Sequence, residues 1–399
     1  MRVLLSAYAC QPNVGSEPEV GWQRALHMLE FADEVWVLTR SNNRSVIEAN
    51  SLSKANRLHF IYCDLSAWAL RLKKQSWFRP IYFILWQWEA YLIASRHHRD
   101  KHFDCVFHVT FASLRSGSFM GRLGIPFVIG PVAGGERAPF RLRRSMPTHS
   151  KAGELLRDLG IIIQRYSPLT RSAFAAAERI YVTTTDSLQL VSPKWRFKTR
   201  VNLAIATNGG VTKYGQRPLP VSPRFVFAGR LLCWKGPHFA IRALAEARRT
   251  LPEATLTLIG SGPDERHLRD VAKRVNVTNA VDFVGQVPQK QLLDWLQSYT
   301  AFVFPSLHDS GGTVVLEALS KGLPIVCLDR GGPGVIVNES CGIVVPTAEA
   351  NETQTVTNIA KAMITLASMP AAEYFRLSAG AVARANELSW TTLTESIIA

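Results

Sequence analysis

One stretch, residues 301–328, constrains the fold more than any other part of the chain. An apolar run that ends at Phe304 predicts a buried strand, and Pro305 terminates it. A polar, glycine-rich turn follows, and then an apolar pattern with helical spacing that stops at Gly322 and Pro324. A second apolar run completes the stretch. This order predicts a βαβ unit, and such units build parallel sheets covered by helices.

The turn of this βαβ unit carries groups that suit a ligand with both phosphate and hydroxyl groups. Gly311 and Gly312 stand where the helix begins, and the first N–H groups of a helix are unpaired and favour an anion. Asp309 lies on the turn, and Glu317 follows eight residues later, inside the helix. The alternative is a βα loop with a capping aspartate and an exposed glutamate. The spacing alone does not decide between the two.

The same stretch resembles the C-terminal signature of retaining, nucleotide-sugar-dependent glycosyltransferases of family 4, which have the GT-B fold. Their pattern, FPSxxExxGxxxLEAxAxGxPVV, holds two acidic residues separated by seven others. Asp309 and Glu317 occupy these positions, with aspartate in place of the usual glutamate at the first. The resemblance implies an α/β protein of two Rossmann-like βαβ domains that face each other across a cleft. It also implies a C-terminal helix that crosses back onto the first domain.

Segments of the N-terminal half resemble the same family. The loop after the first predicted strand, of the form QPNxGSExxxGW, contains Gly15 and Ser16 and resembles the family's glycine loop. The predicted strand that contains His108 resembles the strand from which a histidine faces the sugar. Asn208 stands in a turn that resembles the family's NGV turn.

Two segments of the C-terminal half extend the resemblance. Arg230 and Lys235 follow the family's GRxxxxKG spacing after a predicted strand, where the alternative is a pair of solvated surface cations. Gly285 and Val287 lie in a turn that resembles the one lining the nucleotide base.

The resemblance implies roles for the matched residues. Arg230 and Lys235 would stabilise the negative charge that develops on the leaving diphosphate. Glu317 would bind the ribose hydroxyls, and Asp309 would hold the sugar. The residues assigned to catalysis are His108, Arg230, Lys235 and Asp309. The residues assigned to substrate binding are Gly15, Ser16, Asn208, Gly285, Val287, Gly311, Gly312, Thr313 and Glu317.

The sequence also favours a metal-independent reaction. It contains no D-x-D triplet and no cysteine–histidine cluster with metal-ligand spacing. We therefore expect no metal site and no cofactor beyond the nucleoside-diphosphate sugar, which is the donor substrate.

Length and proline positions predict two domains. A chain of 399 residues exceeds the usual size of one domain. Pro218, Pro220 and Pro223 indicate a linker. We expect an N-terminal acceptor domain at residues 1–215, with residues 380–399 packing back onto it. A C-terminal nucleotide-sugar donor domain would occupy residues 216–379.

Positive charge is concentrated in the N-terminal half. Residues 1–215 hold 29 basic and 15 acidic residues, which accounts for nearly all of the formal net charge of +15. Such a field indicates an acidic partner: nucleic acid, an anionic membrane surface or a phosphorylated substrate. It is strongest in the segment from Arg137 to Arg157 and beside four tryptophans in residues 68–88.

The tryptophan-rich segment has two interpretations. It is either a long buried helix preceded by a solvated basic helix, or a face that lies on a membrane surface, where tryptophan and basic residues are both favoured. We predict salt-sensitive, peripheral association with an anionic membrane. A basic surface that only keeps the protein soluble is the alternative.

The remaining features favour a location in the cytoplasm, peripherally on the inner face of the cell membrane. The six cysteines are scattered, without a CxxC pair, and indicate buried free thiols in a reducing compartment. No apolar run approaches the ~18 residues of a transmembrane helix. The first apolar run is better explained as a strand than as a signal peptide.

Three functions are compatible with the sequence. The first is a retaining glycosyltransferase that moves a sugar from a nucleoside-diphosphate sugar to a lipid-linked or polysaccharide acceptor in cell-surface glycan assembly. The second is a binding module that keeps the fold without the chemistry. The third, nucleic-acid binding, is disfavoured because no nucleic-acid-binding motif is present and basic and aromatic residues are not interleaved on strands.

Overall fold

A computed structural model describes residues 1–54, 56–114, 117–164, 167–210, 220 and 222–398. The chain divides into two units. The first consists of Met1–Gly135, Leu159–Ile205 and Trp390–Ala399, and the second of Glu136–Asp158 and Ala206–Ser389. Each unit is an α/β structure with its own parallel sheet.

In the first unit, the described residues form a seven-stranded parallel sheet in the order β3-β2-β1-β4-β5-β6-β7. The strands are β1 (Arg2–Ala7), β2 (Glu34–Arg40), β3 (Leu58–Cys63), β4 (Cys105–Thr110), β5 (Phe127–Val132), β6 (Arg179–Val182) and β7 (Thr199–Val201). The connecting helices are α1 (Ser16–Met28), α2 (Arg44–Ala49), α3 (Ala67–Leu72), α4 (Arg79–Lys101), α5 (Thr148–Gln164), α6 (Pro168–Ala176) and α7 (Thr185–Leu190). Residues 148–158 of α5 belong to the second unit.

In the second unit, the described residues form a six-stranded parallel sheet in the order β10-β9-β8-β11-β12-β13. The strands are β8 (Arg224–Ala228), β9 (Thr255–Ile259), β10 (Val281–Gly285), β11 (Ala301–Phe304), β12 (Ile325–Leu328) and β13 (Gly342–Val345). The helices are α8 (Pro237–Ala247), α9 (Glu265–Arg274), α10 (Gln289–Trp295), α11 (Thr313–Ser320), α12 (Gly331–Ile336), α13 (Glu352–Ala367) and α14 (Ala371–Glu387).

The central strands of both sheets are buried on both faces. All residues of β4, β11 and β12 are buried, because helices cover the two sides of each sheet. Continuous apolar runs are therefore the correct signal for these strands. The predicted α/β class with two Rossmann-like parallel-sheet domains is confirmed.

Two predicted boundaries differ from the structure or fall outside it. The boundary between residues 215 and 216 lies within residues 211–219, outside the described residues. The basic segment Glu136–Asp158 groups with the second unit, although the sequence placed it in the first.

A final helix, α15 (Trp390–Ile398), returns to the first unit and packs on α1. Arg24 of α1 is fully buried beneath it. Its guanidinium donates to Thr394 Oγ1 (3.1 Å), Asn202 Oδ1 (3.3 Å) and the Leu203 carbonyl (3.2 Å). Burial lowers the pKa of Arg24 to about 9. The last helix is thus joined to the first helix by a buried charge.

All six cysteines are buried free thiols. In the described part of the chain, no helix combines the length and apolar character needed to cross a bilayer.

Candidate functional site

The second unit brings two loops together at one edge of its sheet. Strands β8 and β11 are parallel neighbours, with Phe225 opposite Ala301, so the loops that follow them leave from the same edge. Gly236 allows their close approach: a Cβ there would lie 2.0 Å from the Pro305 carbonyl oxygen. The Leu307 N–H donates to the Trp234 carbonyl (2.9 Å) and joins the two loops. This edge, at the carboxyl ends of the strands, is where ligands bind in open α/β sheets.

A cation, a carboxylate and two backbone N–H groups meet at the start of α11. The Lys235 ammonium lies 2.7 Å from Asp309 Oδ2. Asp309 Oδ1 accepts hydrogen bonds from the N–H groups of Gly311 (3.1 Å) and Gly312 (3.3 Å). Lys235 and the helix start therefore bind the two oxygens of one anionic group, which is the Asp309 carboxylate in this structure.

Two glycines that the sequence analysis did not single out support this loop from behind. The N–H of Gly332 donates to the Asp309 carbonyl (2.6 Å). A Cβ at Gly331 would lie 2.2 Å from the same oxygen, and Gly331 has φ +57°. The available signal was their position, since only Asp329 and Arg330 separate the pair from the end of β12, at the same edge of the sheet.

A buried network extends from this loop to the segment Glu136–Asp158. The rings of Trp234 and His308 stack with centroids 4.4 Å apart. His308 Nε2 lies 2.7 Å from Glu154 Oε1, and both side chains are about 95% buried. His308 and Glu154 are 154 residues apart in the chain, so no local sequence pattern could have indicated this pair.

Glu317 lies on α11 and contacts the start of α10. Gln289 Nε2 donates to Glu317 Oε1 (2.5 Å). Burial raises the pKa of Glu317, and the hydrogen bond from Gln289 opposes this shift only in part. Gln289 follows the predicted base-lining turn, in which Gly285 has φ +81° and Val287 is half-buried. The structure therefore places that turn and Glu317 next to each other.

Other predicted residues of the second unit are not part of this cluster. Arg230 is exposed, and among the described residues no hydrogen bond or ion pair of its side chain is found. Thr313 is the exposed first residue of α11. Asn208 is exposed beside Thr207, which forms a bridge with Ser389.

The first unit holds the remaining predicted residues. Gly15, with φ +71°, precedes α1, and the exposed Ser16 is its first residue. His108 is fully buried inside β4, two residues before its end. Its Nδ1 lies 3.1 Å from Ser6 Oγ, and its Nε2 lies 3.4 Å from Gln87 Nε2. Burial lowers the pKa of His108 to about 4, so the imidazole is neutral at pH 7.

The basic segment from Arg137 to Arg157 is less positive than its sequence indicated. Asp158 lies 2.9 Å from Arg137 and 2.8 Å from Arg143. Arg157 lies 3.8 Å from Glu136. Burial raises the pKa of Asp158, but its hydrogen bonds with Arg143 and Arg137 outweigh this and lower it. Two carboxylates at the ends of the segment therefore engage three of its arginines and offset two of their charges.

No group of three or more histidine, cysteine, aspartate or glutamate residues placed to hold a metal is found among the described residues.

Comparison with known proteins matches residues 218–368 to the family "Glycosyl transferases group 1". Glycogen synthase of Mycobacterium tuberculosis (strain ATCC 25618 / H37Rv) is 33% identical over 179 residues. These cover 45% of this chain and 42% of that protein, so the chain spans less than half the length of this relative.

Solved structures match the whole fold at low sequence identity. The lipopolysaccharide outer core galactosyltransferase WaaB, in its apo form, has a TM-score of 0.62 at 14% identity, covering 100% of this chain and 99% of WaaB. HepE of Anabaena, in complex with UDP, has a TM-score of 0.60 at 14% identity, covering 100% and 98%. Residues 218–368 therefore match the glycosyl transferases group 1 family, and the chain has the two Rossmann-like, parallel-sheet domains of the GT-B fold.

Proposed function

We propose that this protein is a retaining glycosyltransferase of family 4, which transfers a sugar from a nucleoside-diphosphate sugar to a glycan or lipid-linked acceptor without a metal ion. The contact of Lys235 with Asp309 at the start of α11 carries this proposal. It lies within the residues that match the glycosyl transferases group 1 family. The bound UDP of HepE supports a nucleoside-diphosphate donor.

In this mechanism the donor diphosphate takes the anionic position at the start of α11. Lys235 and the N–H groups of Gly311 and Gly312 stabilise the charge that grows on the diphosphate as the glycosidic bond breaks. Asp309 then exchanges its contact with Lys235 for hydroxyl groups of the sugar. The exposed Arg230 adds a second cation from the same loop as Lys235.

The ribose and base occupy the neighbouring positions. Glu317 accepts hydrogen bonds from the ribose hydroxyls, and Gln289 holds its carboxylate in place. Gly285 and Val287 line the base. His108, Gly15, Ser16 and Asn208 are proposed to act as the family resemblance implies, with neutral His108 near the anomeric carbon.

A donor panel tests this function. Purified protein is incubated with UDP-, GDP- and ADP-sugars, and donor hydrolysis and thermal shift are measured. We expect one nucleotide to stabilise the protein and its sugar to be turned over. Lys235→Ala should lower kcat/KM by about 100-fold, because it removes a cation that acts mainly in the transition state. Lys361→Ala, at an exposed lysine of α13, is the control and should retain activity. Unchanged turnover in Lys235→Ala would refute the leaving-group role.

We further propose that the protein binds an anionic membrane through α3 and α4. Helix α4 buries one face, which includes Tyr82 and Trp86, against the first unit's core. The opposite face is apolar and exposed. Seven large apolar side chains of this region are 37–65% exposed: Trp68, Leu72, Trp77, Ile81, Ile84, Leu85 and Trp88. The exposed Arg71, Lys74 and Arg79 lie among them.

This combination suits the interface of a membrane with anionic lipids. Tryptophan rings settle at the level of the headgroups, and each nearby surface cation contributes about 1 kcal/mol. An acceptor for cell-surface glycan assembly, on the cytoplasmic face of the cell membrane, would then lie beside the enzyme. WaaB, a lipopolysaccharide galactosyltransferase of the same fold, supports such an acceptor.

Vesicle co-sedimentation tests the membrane proposal. We expect binding to anionic vesicles that weakens at high salt, and weaker binding to neutral vesicles. Changing Ile84 and Leu85 together to serine should reduce binding, because it removes exposed apolar area. The control changes Val46 and Leu52, which lie on and beside α2 and are at least about as exposed as Ile84 and Leu85, to serine. Equal and negligible sedimentation with all vesicles would contradict the proposal.

The comparisons give no support to an inactive binding module or to nucleic-acid binding. In the donor panel, a thermal shift without turnover would favour the module, and a response to polynucleotide alone would favour the nucleic-acid interpretation.

A further inference from the structure

The second unit contains an open pocket of about 610 Å³ whose lining includes none of the predicted donor residues. Its walls come from the segment Glu136–Asp158, from α8, from α9 and from the start of α13. Four arginines line it: Arg141, Arg144, Arg242 and Arg274. Glu352 is the one carboxylate in the lining.

The single carboxylate is already engaged. Glu352 Oε1 pairs with Arg242, and its Oε2 accepts a hydrogen bond from the Ser145 N–H (2.9 Å). The other three arginines have no carboxylate partner among the described residues. Arg141 donates to the Ala348 carbonyl, and Arg274 donates to the Asp270 carbonyl at 3.3 Å. Three uncompensated guanidinium groups therefore face one concave space, and their mutual repulsion favours an anion.

A second observation points to a ligand at the same place. The Ser145 hydroxyl oxygen is buried and has no hydrogen-bond partner in the described structure, and Ser145 lines the pocket. A buried hydroxyl without a partner is unfavourable, and a rotation of the Ser145 side chain towards the pocket would let a ligand oxygen satisfy it.

We propose that this pocket binds a ligand that carries a diphosphate or two neighbouring phosphates. Such a group has two to three negative charges at neutral pH, which matches the three unpaired arginines. Guanidinium groups bind phosphate oxygens in pairs, and arginine is preferred for this contact. The volume is many times what one water molecule needs, so an attached sugar or chain also fits. The proposal does not depend on the proposed transferase activity.

Calorimetry with inorganic pyrophosphate tests the site. We expect binding that weakens as salt is added. Changing Arg144 and Arg274 together to glutamine should weaken it about tenfold or more, because both are exposed and contribute charge without a structural ion pair. The matched control changes Arg249 and Arg266, which are exposed in the same unit outside the pocket, to glutamine.

One further variant separates this pocket from the predicted donor site, which would also accept pyrophosphate. Lys235→Ala should leave the pocket's binding unchanged. Loss of all pyrophosphate binding in Lys235→Ala, or equal binding by the Arg144/Arg274 variant and its control, would overturn the proposal. A failure of donor turnover would not affect it.

Two arms then distinguish a soluble ligand with two neighbouring phosphates from a lipid with a diphosphate headgroup. In one, a soluble sugar bisphosphate competes with pyrophosphate. In the other, phosphatidylcholine vesicles with and without a polyprenyl diphosphate are sedimented with the protein. Competition in solution identifies a free metabolite, and retention on the diphosphate vesicles, lost in the Arg144/Arg274 variant, identifies a lipid headgroup. Absence of both, together with absence of pyrophosphate binding, would overturn the proposal.

Discussion

Gly312 controls the geometry of the loop that holds Asp309. It has φ +75° at the residue before α11, and a Cβ there would lie 3.3–3.4 Å from Ile336 and Pro333. Gly312→Ala should destabilise the protein by about 1–2 kcal/mol, because a side chain is strained in this conformation. It should also weaken donor binding, since the Gly312 N–H contacts Asp309. Urea unfolding and donor affinity measure the two effects.

Gly153→Ala is the matched control for this change. Gly153 lies inside α5, has no positive φ, and a Cβ there meets no atom within 4 Å. Alanine is the better helix former by up to about 1 kcal/mol, so this variant should be as stable as the parent or more so. If both variants lost the same free energy of unfolding, conformational strain would not be the cause of the loss in Gly312→Ala.

His108 makes the stability of the first unit depend on pH. Its pKa is lowered from the usual 6.5 to about 4 by burial. Well above pH 6.5, His108 is neutral in both the folded and the unfolded protein, so its contribution to the free energy of unfolding is constant. As the pH falls from 6.5 to 4, the unfolded chain binds a proton that the folded protein does not, so stability decreases.

We expect His108 to account for a decrease of about 2 kcal/mol in the free energy of unfolding between pH 7 and pH 5. His108→Gln should reduce the pH dependence of the free energy of unfolding by that amount. His102→Gln, at an exposed position, is the control. An identical decline in the parent and both variants would show that His108 is not the cause.

Among the single residues of the site, those with a local signal could be predicted and those with long-range partners could not. The spacing of Asp309 and Glu317 placed both on one loop and helix, and Gly311 and Gly312 do provide N–H groups to an anion. The neutral, buried state of His108 depends on Ser6 and Gln87, from distant parts of the chain. Such contacts are products of the completed fold.

At the scale of elements, α15 is held to the first unit by polar contacts with Arg24. Arg24→Ala would leave Thr394 Oγ1, Asn202 Oδ1 and the Leu203 carbonyl without this donor. We expect a loss of about 3 kcal/mol in the free energy of unfolding, because buried acceptors would lose their partner. Urea unfolding measures it. Arg44→Ala removes an exposed ion pair with Glu48 and should cost less than about 1 kcal/mol. Similar losses in the two variants would mean that α15 does not depend on Arg24.

At the scale of elements, strands could be predicted from the sequence, whereas the unit to which a segment belongs could not. Strands of the sheets were predictable because each is a short apolar run between turn residues, and β11 ends at Phe304 as expected. The segment Glu136–Asp158 was placed in the first unit by its position in the chain, before the prolines of the predicted linker, whereas its grouping with the second unit depends on contacts made in the folded protein. Its arginines pair with Glu136 and Asp158 at the two ends of the segment, a contact that only the folded conformation reveals.

At the scale of the whole molecule, the predicted donor residues are concentrated in the second unit. A bound donor nucleotide should therefore slow amide hydrogen exchange mainly in that unit. UDP, GDP and ADP are first compared by the rise in melting temperature that each causes. Hydrogen exchange is then followed with the nucleotide that raises it most. We expect the largest decrease in exchange rate on binding at residues 309–317 and 285–289, because these loops bear the proposed contacts.

The corresponding nucleoside, which lacks the diphosphate, is the control. It should protect residues 309–317 less, since Lys235 and the start of α11 then have no phosphate to bind. Protection confined to the first unit would contradict the assignment of the donor to the second.

The return of α15 to the first unit has a consequence for biosynthesis. Translation delivers Arg24 early, but Trp390 and Thr394, which contact it, emerge from the ribosome only after the entire second unit. Until then the nascent first unit lacks the helix that covers its buried guanidinium. A ribosome stalled before residue 390 would therefore display an N-terminal unit that proteases and chaperones recognise as immature, however completely its sheet has formed.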